Sequence, residues 1–205
     1  MAIVFEIPPV KSVRALEEGL AALGLANLLS VDEVFDKFNS FVDANNEQPR
    51  RLPHQIHALR LDRLAQGGAL EQAELLSWRY IVGGTPDSIL SADVRVAPEE
   101  EHVFSAFSQN RLANETVTQL NKVADDRIFF QATFNPRLLR VFGLMFAALW
   151  LHRPGAKDFK DDIFIPLPGA SDPLTAGEKY FREELANTLH KEAAEHIRLV
   201  SDTSS

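Results

Sequence analysis

The chain has 205 residues, of which 45% are hydrophobic and none is cysteine, and its formal net charge at pH 7 is −8. A chain of this length can bury a sizeable core without a disulfide or a structural metal. The lack of cysteine excludes disulfide frameworks, cysteine-ligated metal sites and a cysteine nucleophile. The negative net charge argues against a uniformly basic nucleic-acid-binding protein.

The N-terminal sequence lacks the features of an export signal, because no basic residue precedes its short apolar run. The longest apolar run extends from Val141 to Leu151 and is much shorter than the ~20 residues that span a bilayer. We therefore expect a cytoplasmic protein without a membrane span.

Hydrophobic periodicity predicts eight helices along the chain. Their approximate ranges, in chain order, are 11–29, 31–44, 53–66, 69–82, a segment from 98, 111–124, 136–152 and 175–200. Capping-box pairs mark the second and the last of them, at Ser30 with Glu33 and at Thr175 with Glu178. Pro53 and Pro136 stand in first turns, where proline is tolerated.

The seventh helix is the most informative of these predicted elements. Asn135 is suited to cap it, and residues 141–151 are apolar on every side. This pattern is typical of a helix that other helices surround. Its aromatic and sulfur-containing residues are therefore interpreted as core. Burial in a subunit interface is the main alternative, and a cofactor site is less favoured than either.

Short strands are predicted at residues 3–7, 92–97, 127–134 and 163–165, which would form at most a minor sheet. We expect one mostly α domain over residues 1–205, with seven or eight helices around the buried helix at about 136–152. A helical N-terminal half, residues 1–84, docked on 85–205 is the alternative organisation.

The stretch from Leu139 to Pro154, with Phe146-Ala147 and Trp150 inside it, resembles a helix-and-loop stretch of flexuous filamentous plant-virus coat proteins. The Phe-Asp-Phe-like segment of that family is replaced here by Ile163-Phe164-Ile165-Pro166. The resemblance implies a helix followed by a loop, and no functional residue is transferred from it.

The acidic net charge conceals basic segments of the chain. Residues 1–49, 85–126 and 161–205 each carry a net charge of −5, whereas residues 50–84 carry +2 and residues 127–160 carry +5. Arginine suits phosphate recognition because its guanidinium forms paired hydrogen bonds. The candidate polyanion-binding residues are Arg50, Arg51, Arg60, Arg63, Arg137, Arg140, Arg153, Lys157 and Lys160.

These observations favour a non-enzymatic interaction or structural protein without a cofactor, and an enzyme is the less favoured class. Such a protein would assemble with copies of itself or with a protein partner, along RNA or another polyanion in one version of this hypothesis. Complementary acidic and basic blocks could also steer self-association, while pairing within the chain is the plainest alternative.

The competing hypothesis is a small helical enzyme or ligand-binding protein with a metal. Glu99 and His102 have the Glu-x-x-His spacing of di-iron helical bundles, and Glu192 with His196 would complete a degenerate site. No phosphate-binding loop, dinucleotide-binding fingerprint, zinc-protease motif or serine-hydrolase elbow is present in the sequence.

Overall fold

The computed structural model describes residues 2–26, 52–85, 88–126, 132–155, 160–169 and 173–203. Within these ranges the helices are α1 (Val10–Ala22), α2 (Leu61–Ala65), α3 (Arg111–Asp125) and α4 (Arg182–Thr203). The strands are β1 (Ala2–Ile3), β2 (His54–Ala58), β3 (Glu74–Thr85), β4 (Ser88–Ala97), β5 (Glu101–Gln109), β6 (Thr133–Val141), β7 (Phe146–His152), β8 (Ile163–Pro166) and β9 (Tyr180–Phe181).

All nine described strands belong to one mixed sheet with the order β5-β4-β3-β2-β6-β7-β8-β9, and β1 also pairs with β6. Strand β2 pairs in parallel with β6, whereas every other neighbour along this order is antiparallel. Strands from residues 1–84 and from residues 85–205 therefore share the same sheet.

The prediction of a mostly α domain is wrong, because this large sheet is the centre of the fold. The buried apolar helix expected at about 136–152 is instead strand β6, a 3-10 turn at Phe142–Leu144 and strand β7. The helix-and-loop stretch that the coat-protein resemblance implied is this same pair of strands.

Both faces of the sheet centre are covered by helices. This explains why the apolar sequence of β6 and β7 was interpreted as a buried helix. Ile56, Leu138 and Leu149 pack under α3 on one face, which we call the α3 face. Leu139 and Trp150 pack under α4 on the opposite face. A strand buried on both faces has a continuous apolar sequence, and periodicity cannot distinguish it from a buried helix.

Other predicted helices also differ from the structure. The segment 53–66 contains strand β2 and the short α2, the segment 69–82 contains most of β3, and the segment from 98 is a 3-10 turn followed by β5. Only the end helices and the helix at 111–124 correspond to α1, α4 and α3 in the described ranges.

The four predicted strands underestimated the sheet. Residues 92–97 lie in β4, 163–165 lie in β8, and only Ile3 of the first segment is in β1. The helix predicted at 31–44 and residues 127–131 of the third strand lie outside the described residues.

Helix α1 covers the outer part of the sheet. Its Leu16 and Leu20 are fully buried against Trp78 and Tyr80 of β3. The Tyr80 hydroxyl donates a 2.7 Å hydrogen bond to the Ser12 hydroxyl in the first turn of α1. These contacts fix α1 over β3, β4 and β5. Among the described helices, none combines the length and apolar character needed to cross a membrane.

Candidate interaction surface

The predicted basic residues are distributed over opposite ends of the sheet. Arg60 and Arg63 are exposed at α2, near Arg140, because the backbone N–H of Leu59 donates to the Arg140 carbonyl at 2.9 Å. Arg153 follows β7 at the other end, where His152 pairs with Asn135. Among the described members of the set, Arg60 and Arg63 therefore lie near one end of β6 and Arg153 lies near the other.

Strand β6 further separates two of these arginines. Arg137 and Arg140 are three residues apart, so their side chains leave a strand on opposite faces. Arg137 lies over the Trp150 ring, with its guanidinium carbon 5.1 Å from the ring centroid. Arg140 lies over Phe142 at 4.2 Å.

Several of the predicted basic residues are already paired within the chain. Arg60 forms a two-pronged pair with Asp62 at 2.9 and 3.1 Å, and Arg153 contacts Asp161 at 2.6 Å. Lys160 is exposed near Arg153, whereas Arg50, Arg51 and Lys157 lie outside the described residues. Polyanion binding along the whole set stays a prediction.

Arg137 belongs to a polar network on the face of the sheet that α1 and α4 cover. It donates to Glu6 Oε1 at 2.5 Å, and Gln55 Nε2 donates to Glu6 Oε2 at 2.6 Å. His57 Nε2 then donates to Gln55 Oε1 at 2.7 Å. The network ties the segment before α1 to the central strands and holds the Arg137 side chain in a largely buried position.

Asp162 is the second centre of this polar region and is fully buried. Its carboxylate accepts hydrogen bonds from Trp150 Nε1 at 2.6 Å, from His152 Nδ1 at 2.9 Å and from the Arg153 backbone N–H at 2.9 Å. Three donors therefore compensate for the loss of hydration. They fasten the loop before β8 to the end of β7.

A buried ion pair on the α3 face was not predicted from the sequence. Arg79 donates through Nε and Nη2 to the two carboxylate oxygens of Asp93, both at 2.8 Å. The two residues are direct cross-strand partners in β3 and β4. Residues 14 apart on one helix would lie about 21 Å from each other, so only the strand assignment brings this pair into contact.

Two histidines of β2 have lowered pKa values. Burial, and secondarily the charge of Arg79, lowers the pKa of His54 to about 4. Burial, and secondarily Arg137, lowers the pKa of His57 to about 4. Both imidazoles are therefore neutral at pH 7.

The alternative metal site was expected to lie on helices. Glu99 instead lies in a 3-10 turn and His102 lies in β5, while Glu192 and His196 lie on α4 over the other half of the sheet. The described part of the chain contains no group of three or more His, Asp or Glu side chains that could hold a metal ion.

Strand β5 is the outermost strand on the α1 side of the sheet. Among the described strands it pairs only with β4, and no described strand occupies its other edge. Its exposed Val103 has 43% of its surface accessible. A groove runs between this strand and α1, lined by Lys11, Arg14, Ala15, Glu18, Glu101 and His102.

Polar and apolar residues do not alternate regularly along 101–109, so the sequence pattern did not locate this edge strand. In comparisons with known proteins, the chain matches no family model, no curated protein and no solved structure.

Replacement of Asp162 by alanine tests the buried network. Asp162→Ala leaves three buried donors without their acceptor, so the free energy of unfolding should fall by about 3 kcal/mol or more. The matched control is Asp161→Ala, which removes only the exposed pair with Arg153 and should cost at most about 1 kcal/mol. Urea unfolding measures both, and equal losses would contradict the role assigned to Asp162.

The two histidines predict an acid-dependent loss of stability. Their folded-state pKa values lie below the usual 6.5, so the unfolded chain binds more protons between about pH 4 and 6.5. The free energy of unfolding should therefore fall as the pH drops through this window, by up to roughly 3 kcal/mol for each histidine, and level off below it.

Comparison of the wild type with H54Q/H57Q isolates this contribution. The double variant should show a flatter dependence of unfolding free energy on pH, whereas His196→Gln, at an exposed position of α4, should keep the wild-type slope. An unchanged slope in H54Q/H57Q would show that these histidines do not carry the effect.

Proposed function

We propose that the chain is a non-enzymatic interaction protein that assembles with a second copy of itself through the outer edge of β5. The observation that carries this proposal is a nine-residue edge strand without lysine or proline. Natural sheets usually protect their edges with such residues, because an unpaired edge is a template for another strand. Beyond Glu101, the strand also lacks charged residues.

A β-bulge limits where this edge can pair. The β4–β5 register shifts between Asp93 and Val94, which leaves Ser105 as the extra residue in β5. Bulges bend an edge strand and interrupt regular pairing. We therefore place the contact on residues 101–105, before the bend, with the two-fold axis at Val103.

Pairing centred on Val103 is self-complementary. An antiparallel two-fold arrangement sets Val103 directly opposite Val103 of the second copy, which buries two half-exposed apolar side chains against each other. His102 then lies opposite Phe104 of the second copy. No buried charge is left without a partner at the centre of this contact.

The charges of α1 support a second copy as the occupant. Lys11 and Arg14 lie in the first half of α1, whereas Glu17 and Glu18 lie in its second half. A two-fold axis beside α1 turns the two helices antiparallel, so the basic half of each helix faces the acidic half of the other. This is electrostatic complementarity of a surface with itself.

The spacing of the layers also suits this arrangement. Neighbouring strands are about 4.8 Å apart, and α1 packs over both β4 and β5. Two α1 helices seated in this way on joined β5 strands would have axes about 10 Å apart, which is the distance of packed helices. Ala15, a small residue, lies midway along the groove-lining side of α1.

The opposite edge of the sheet offers no equivalent surface. Strand β9 has only two residues and continues directly into α4. Its exposed Phe181 therefore provides a matched control position on the other edge.

A lysine in place of Val103 should dissociate the dimer, because the two-fold axis would set two like charges directly opposite each other. We expect the wild type to have twice the chain mass of 22.9 kDa in light scattering, Val103→Lys to have the monomer mass, and Val103→Thr to remain dimeric. Phe181→Lys should also remain dimeric. A monomeric wild type, or equal dissociation by both lysine variants, would contradict the proposed edge.

Charge reversal along α1 gives an independent prediction. K11E/R14E makes both halves of α1 acidic and E17K/E18K makes both halves basic, so each variant alone should shift toward monomer at low ionic strength, where charges are least screened. An equimolar mixture should form the heterodimer, which native mass spectrometry resolves by mass. Unimpaired homodimers of both variants would exclude pairing of the α1 helices.

A further inference from the structure

A second surface feature lies on the α3 face, distant in the sheet order from the β5 edge. A cavity of about 210 Å³ opens between the start of α3, the end of β6 and the start of β7. A cavity of this size holds several water molecules or a small organic ligand.

Arg140 is the central charged group of this cavity. Its side chain is half-buried and stacks on Phe142 at 4.2 Å. Among the described residues, no carboxylate lies within ion-pair distance of it. Burial lowers the pKa of Arg140 and the nearby Arg79 guanidinium lowers it further, while the Asp93 carboxylate acts in the opposite direction. Both oxygens of Asp93 are bound by Arg79, so a bound anion would give Arg140 a direct partner and offset its partial burial.

The charged residues that line the cavity determine which ligand charge it favours. The charged residues around it, within the described ranges, are Arg111, Arg140 and Glu115, which give a formal charge of +1. Arg111 is the first residue of α3, where the helix dipole adds positive potential. The local sign is opposite to the −8 of the whole chain.

Apolar side chains supply the remaining walls. Leu112, Ala147 and Leu167 line the cavity between the two arginines. A dianion would exceed the local charge, and a neutral ligand would leave Arg140 uncompensated. A single carboxylate on a short apolar body satisfies both the charge and the walls, since guanidinium binds carboxylate with paired hydrogen bonds.

We propose that this cavity binds a small monocarboxylate, with the carboxylate on Arg140 and the hydrocarbon body against Leu112, Ala147 and Leu167. The site is independent of the β5 edge, so it would exist in a monomer as well as in a dimer. Arg140 would have the role of an anion anchor within one chain, rather than that of one member of an extended polyanion surface.

Titration calorimetry with butyrate as the probe tests this site. We expect saturable binding, one butyrate per chain, with a dissociation constant on the order of 1 mM, which is reasonable for six non-hydrogen atoms. Butyramide, which has nearly the same shape without the charge, should not bind. Succinate should bind more weakly than butyrate because its second charge has no partner.

Substitutions of residues that line the cavity locate the binding. Arg140→Gln should weaken butyrate binding roughly 10- to 100-fold, and Ala147→Leu should abolish it by filling the cavity while the charge is kept. Arg95→Gln is the matched control, since Arg95 is exposed on β4 and does not line the cavity. Circular dichroism checks that each variant is folded. Should Arg140→Gln fail to fold, Ala147→Leu and Arg111→Gln, at the exposed cavity rim, still decide the question.

Four results would contradict binding of a monocarboxylate in this cavity. No saturable binding at about tenfold higher butyrate than the expected constant, equal binding of butyramide, or tighter binding of succinate would each overturn the proposal. Unchanged butyrate affinity in Ala147→Leu would show that the ligand lies elsewhere.

Discussion

The parallel pairing of β2 with β6 is the constraint on which the rest of the fold depends. It joins an antiparallel half made of β2 to β5 with a second antiparallel half made of β6 to β9. At its centre Ile56 lies opposite Leu138, and both are buried under α3. Parallel neighbours need a long crossover, which here contains β3, β4, β5 and α3. The pairing also places β5 and β9 at opposite edges, and only β5 is long enough to accept another strand.

The sequence pattern predicted correctly the elements that have one polar and one apolar side. It failed for the strands that are buried on both faces. Helices α1, α3 and α4 each present a polar side to solvent, so their periodicity was readable. Strands β6 and β7 lie between α3 and α4, and their apolar run imitates a buried helix. Asn135 and Pro136 appeared to cap and begin that helix, but both lie in β6. Local preferences were overridden here by contacts that only the tertiary structure supplies.

The strand assignment also changes where the candidate residues lie. Arg137 and Arg140 would share a face of a helix, but on strand β6 their side chains lie on opposite faces of the sheet. Glu99 and His102 would share a face of a helix, but they lie in a 3-10 turn and in β5 instead. The charge order along α1 was available from the sequence, because that helix was predicted. The dimer proposed from this charge order also required the position of β5 at the adjacent edge. The cavity at Arg140 depends on contacts between distant segments of the chain.

In the proposed dimer, edge pairing and charge order both use the same surface of the molecule for contact with a second copy. Along the described edge, residue 103 is the only position that the proposed axis sets opposite itself. The two Cα atoms would be about 5 Å apart, a separation that a disulfide can span. Because the chain has no cysteine, a single Val103→Cys substitution introduces one thiol. The most direct measurement is the yield of covalent dimer under mild oxidation, compared with Phe181→Cys. Rapid, nearly complete cross-linking of Val103→Cys alone is the predicted result, and equally slow cross-linking of both variants would contradict pairing at β5.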